Sequence, residues 1–138
     1  MTNYRGSVAI EVRDLRVIRG TNVALHGLSL TVPVGEVIGL LGPSGCGKTT
    51  LMRSIVGVQK ISAGTVTVLG YPAGMPRLRR RVGYVTQDAS IYDDLTVRQN
   101  LRYFRAVLGA AASEVDRVIE LTDLAQQATQ MVCTLSGG

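Results

Sequence analysis

The sequence predicts an α/β fold, and three observations carry that prediction. Residues 42–49 read Gly-Pro-Ser-Gly-Cys-Gly-Lys-Thr, which fills every fixed position of the pattern G-x-x-x-x-G-K-[ST]. An apolar run at 37–41 precedes it and a helix-forming run at 50–56 follows it, the strand–loop–helix order that this pattern requires. Finally, short alternating segments dominate the chain up to about residue 87, while apolar residues at helical spacing dominate from about residue 95.

Taken in order, residues 8–15 alternate imperfectly and read as a strand. Residues 28–32 alternate cleanly, with Leu28, Leu30 and Val32 on one face. Pro33, Val34 and Gly35 end that strand and turn into the run 37–41, expected as a buried strand. Residues 64–70 form a short strand bounded by glycines. Residues 82–86 are expected as a further strand that delivers Gln87 at its carboxyl end, where open α/β sheets place their ligands. Thr96 and Gln99 then have the spacing of a capping box. A helix should follow, with Val97, Leu101, Phe104 and Leu108 as its packing stripe. Gly109 and the alanines 110–112 loosen it. Ser113 is expected to cap a second helix, with Val115, Val118, Ile119 and Thr122 on its packed face.

The residue types at 42–49 suit a polyphosphate. Gly42, Gly45 and Gly47 permit tight turns that aim successive N–H groups inward. The helix starting near Lys48 adds its positive dipole end. Lys48 supplies a mobile point charge for the β- and γ-phosphates. The Thr49 hydroxyl is an oxygen donor of the kind Mg²⁺ prefers. Pro43, Ser44, Cys46 and Thr50 complete the loop, with Cys46 chiefly required to be small.

Bulk properties narrow the class. The 138 residues fit one ordinary domain, and a hydrophobic content of 46% argues against disorder. No apolar stretch approaches the roughly 20 residues of a membrane span, and the first six residues lack the apolar core of a signal peptide, so a cytosolic protein is expected. Two cysteines, Cys46 and Cys133, do not make a disulfide framework. The net charge of +5 owes much to Arg77, Arg79, Arg80 and Arg81. Without aromatic interleaving or a recognition helix, that run reads as a solvated face or a protein contact, and no nucleic acid is expected.

The chain ends Thr134-Leu135-Ser136-Gly137-Gly138. Behind a P-loop, a strand-end Gln87 and a helical insert, this ending becomes specific. Together these motifs resemble the ATP-binding subunit of an ABC transporter from about Val8 onward. Residues 42–49 match Walker A, Gln87 matches the Q-loop glutamine, and Leu135 to Gly138 match the start of the signature motif. The resemblance implies a P-loop NTPase of the ABC type, with an N-terminal antiparallel β portion and a helical subdomain, divided as 1–94 and 95–138. It implies that Lys48 and the loop amides hold ATP, with Thr49 and Gln87 on Mg²⁺. It also implies Lys48 and Gln87 as the catalytic residues present, and Ser136, Gly137 and Gly138 facing the γ-phosphate of a second domain in a head-to-tail dimer. A membrane permease is the implied partner, and the inner face of the cell membrane the implied location.

Two features depart from the family pattern. Ile18 and Arg19 occupy the stretch where an aromatic residue usually stacks on adenine; Arg19 could stack instead, and Val23 and Ala24 could add apolar contact. The family's Walker B aspartate, catalytic glutamate and switch histidine would follow residue 138, so the chain is expected to be the front part of such a domain. On that view 37–41 lacks flanking strands, and these 138 residues alone are expected to be inactive in hydrolysis. His26, the single histidine, precedes the P-loop and reads as a turn or surface residue. The alternatives are an ABC ATPase unconnected with transport, or a nucleotide-binding module that does not hydrolyse.

Overall fold

The computed structural model describes residues 8–86 and 90–135. The chain forms two compact units, which part between Tyr84 and Val85.

The first unit is built on an antiparallel sheet. Strands β1 (Val8–Arg19), β2 (Asn22–Pro33), β3 (Ala63–Val68) and β4 (Tyr71–Pro72) lie in the order β2-β1-β3-β4. β1 and β2 make a hairpin in which Arg19 pairs with Asn22 across a two-residue turn.

The imperfect alternation of β1 has a structural cause. Ile10 and Val12 face inward at even positions, whereas Leu15 and Val17 do so at odd ones. The phase changes at Asp14, which has φ 46° and sits where the pairing with β2 and with β3 shifts register. This is a β-bulge. Ser29 clamps it: its Oγ accepts from the Asp14 N–H at 2.8 Å and lies 3.3 Å from the Asp14 carboxylate. Leu15 and Val17 are fully buried as a result, beside Val12, Leu25, Val66 and Val68.

Helix α1 (Lys48–Val56) closes this core with Leu51, and buries Thr50 and Ser54 as well. The Ser54 hydroxyl donates to the Thr50 carbonyl at 2.8 Å, so its burial leaves no orphaned group. After β4, a single 3-10 turn (Pro76–Leu78) drives Leu78 into the same core.

Two expected strands are absent. Residues 37–41 form no strand, and Val37 and Leu41 are 98% and 93% exposed. Residues 82–86 form none either, and Val85 is 90% exposed. Strand structure is a paired state, and among the described residues neither segment has a partner strand; the sheet that does form is antiparallel and uses other residues.

The second unit holds α2 (Val97–Leu108) and α3 (Glu114–Leu121). The capping box at the start of α2 is complete: Thr96 Oγ1 accepts from Gln99 N–H at 3.2 Å, and Gln99 Oε1 accepts from Thr96 N–H at 2.8 Å. Asn100, buried one turn on, accepts from Tyr92 N–H and donates to the carbonyls of Tyr92 and Thr96, fixing the loop that enters the helix. Val115, Ile119 and Ala128 form the core, with Leu101 against it. Leu108 and Thr122 are exposed rather than packed; the Thr122 hydroxyl turns back to the Val118 carbonyl at 2.8 Å. Ser113 occupies the N-cap of α3 but makes no capping bond, because its backbone is already helical (φ −61°, ψ −22°).

Candidate functional site

The loop at 42–49 owes its shape to chain punctuation on both sides. Gly42, Gly45 and Gly47 have φ of 153°, 81° and 95°, so the backbone reverses repeatedly before α1 begins. Gly47 is the N-cap of α1 and offers no side chain to cap it. Early amides of the helix are therefore left without side-chain acceptors, and they present positive dipole ends to solvent. Close packing fixes that position. A Cβ on Gly47 would lie 2.7 Å from both the Ala24 carbonyl oxygen and Leu25 Cδ2. The loop is thus seated directly on β2.

Lys48 folds over this loop. Its Nζ donates to the carbonyls of Gly42 at 2.6 Å and Pro43 at 2.7 Å, and approaches Cys46 Sγ at 3.5 Å. Among the described residues no carboxylate pairs with it. The ammonium is held at the loop by neutral acceptors and is available to a stronger anionic one. Thr49, next in the chain, is exposed, whereas Thr50 is buried in the core side of the helix. Of the two hydroxyls, only the one at 49 is open to a ligand.

Ala24 and Cys46 border one shallow depression of about 270 Å³, together with Leu25, His26, Gly27 and Leu28. Leu25, His26 and Leu28 were not singled out in the sequence as neighbours of the loop; the sequence offers only the alternation of β2 as a signal. His26 lies on the surface, on a strand and not in a turn. Arg19 is exposed at the end of β1, outside the lining of this depression. Gln87 and Ser136, Gly137 and Gly138 lie outside the described residues.

An uncapped helix start, a glycine loop seated on a strand and an ammonium held by neutral carbonyl acceptors constitute a fit for polyphosphate. For Mg²⁺ the fit is partial by design of the donor set. Among the described residues no cluster of three or more His, Cys, Asp or Glu side chains could cage a metal. The Thr49 hydroxyl can supply one oxygen, the sparse protein share usual for a Mg²⁺ ion that also binds phosphate.

The ABC transporter family profile matches residues 25–138. The chain belongs to that family. Nod factor export ATP-binding protein I of Rhizobium sp. (strain N33) is 39% identical over 137 residues, covering 95% of this chain and 45% of that protein. Sulfate/thiosulfate import ATP-binding protein CysA 1 of Chromobacterium violaceum is 37% identical over 140 residues, covering 95% and 39%. Among solved structures, an ATP-binding subunit of an ABC transporter superposes with a TM-score of 0.81 at 25% identity, covering 93% of this chain and 56% of that one. The cbiO1 protein of Clostridium perfringens gives a TM-score of 0.79 at 24% identity, a likeness of fold. This ABC-family chain thus spans less than half the length of the curated relatives it matches. Among its described residues no helix is long and apolar enough to cross a membrane.

Proposed function

We propose that the protein binds ATP at 42–49 and that the complete nucleotide-binding domain to which these residues belong hydrolyses ATP to drive an ABC transporter. The observation that carries this reading is the Lys48 ammonium, held 2.6 Å from the Gly42 carbonyl at the mouth of a glycine loop that opens an uncapped helix. In this reading the γ-phosphate draws Nζ away from the carbonyls, and the loop amides and helix N-terminus take the remaining negative charge. Residues 1–94 would form the nucleotide-binding core and 95–138 the helical part.

Thr49 and Gln87 would hold Mg²⁺, which neutralises phosphate charge when bound. Ser136, Gly137 and Gly138 would face the nucleotide of a second domain, docked head to tail. Gln87 would report on the γ-phosphate to a membrane permease, and the protein would sit on the inner face of the cell membrane. Relatives named as ATP-binding proteins of both export and import systems support the transport role while leaving its direction open.

Titration with a fluorescent ATP analogue tests the proposal. The protein should bind with Mg²⁺ present, unlabelled ATP should displace the analogue, and Lys48→Ala should bind it roughly 10- to 100-fold more weakly. Equal binding by the wild type and Lys48→Ala would overturn it.

A further inference from the structure

The strongest unexplained surface of the first unit is the turn at 76–82. Residues 1–84 carry eleven basic against three acidic side chains, a net +8, whereas residues 85–138 carry four against seven, a net −3. The excess concentrates where Leu78 pegs the turn into the core and leaves Arg77, Arg79, Arg80 and Arg81 exposed around it. The turn is closed by backbone hydrogen bonds: the N–H groups of Arg81 and Val82 both donate to the Leu78 carbonyl at 2.9 Å. Among the described residues none of these four guanidinium groups pairs with a carboxylate. Arg77 lies over the Tyr71 ring at 4.4 Å.

Apolar surface adjoins this charge. Arg79 shares an open depression of about 270 Å³ with Val58, Met75 and Val82. Val58 is 69% exposed and Met75 40%. Guanidinium forks match phosphate geometry bidentately, and exposed apolar side chains beside them suit the boundary between headgroups and acyl chains.

We propose that the turn at 76–82, with Val58 and Met75, is a contact surface for anionic phospholipid. The charge is gathered on one exposed turn as four neighbouring guanidinium groups, with the apolar side chains of Val58 and Met75 beside them. Such a distribution suits a continuous negative sheet better than a discrete acidic segment. Arg77 covers the Tyr71 face, which removes a stacking platform that single-stranded nucleic acid would use. The surface would set the protein flat against the membrane whose permease it serves, and in that respect the inference rests on the transporter reading.

Co-sedimentation with phosphatidylcholine vesicles, with and without phosphatidylglycerol, tests it. The protein should pellet with the anionic vesicles only, and less so as salt is raised. The triple variant Arg79→Gln/Arg80→Gln/Arg81→Gln should partition about 100-fold more weakly, at roughly five-fold per arginine. Its ATP-analogue binding and circular dichroism should match the wild type. Lys48→Ala should show the converse, with vesicle binding intact and nucleotide binding weakened, so failure of either reading is visible separately. Equal pelleting with neutral vesicles, or wild-type pelleting by the triple variant, would overturn the assignment. So would capture on polyglutamate with none on phosphatidylglycerol.

Discussion

The Nζ of Lys48 lies 2.6 Å from the carbonyl oxygen of Gly42, six residues back along the chain. An ammonium can make this contact and still leave it, because a compact point charge on a flexible stem satisfies whichever acceptor is nearer. A guanidinium is planar and longer. Lys48→Arg should therefore keep the charge yet lose about 10-fold in ATP-analogue affinity, measured by fluorescence titration, where a purely electrostatic role would leave affinity unchanged.

Gly47→Ala should destabilise the protein by about 1–3 kcal/mol and weaken nucleotide binding with it. Alanine disfavours φ 95°, and its Cβ would press on the Ala24 carbonyl. Urea unfolding followed by circular dichroism reads the first effect. A stability loss below about 0.5 kcal/mol would mean that the loop can lift from β2.

Thr49→Val should abolish most of the dependence of ATP binding on Mg²⁺ while leaving Mg²⁺-free binding nearly intact. The substitution keeps shape and removes the one exposed hydroxyl beside Lys48. Calorimetric titration with and without a chelator checks this. An unaltered Mg²⁺ effect would assign the ion to other oxygens.

Asn100→Ala should cost about 1–3 kcal/mol, because it strips partners from the Tyr92 N–H and carbonyl at a buried position. The loop from Tyr92 to Thr96 should become a preferred cleavage site in limited proteolysis. The wild-type digestion pattern in the variant would count against the clamp.

Much of this molecule could be read locally, and the failures share a cause. The α2 start was legible because Thr96 and Gln99 contain the whole interaction within one turn. The glycine loop was legible because its residue types follow from backbone conformation alone. Residues 37–41 misled because an apolar run announces burial without naming what will cover it. Ser113 misled because a capping residue type does not fix its own φ and ψ. Ala24 was legible beside the loop, whereas Leu25 and His26 were not, because which residues border the loop depends on the register of β2.

That register is guarded by the kink at Asp14. The half-strands on either side of it obey opposite parity, so sliding β1 by one position would seat Asp14 or Arg16 where Leu15 belongs. Sliding it by two would restore parity but strand Asp14 away from Ser29. Only one alignment serves every group at once. The hairpin therefore proofreads its own assembly, and the shelf on which the glycine loop rests is delivered at a single height.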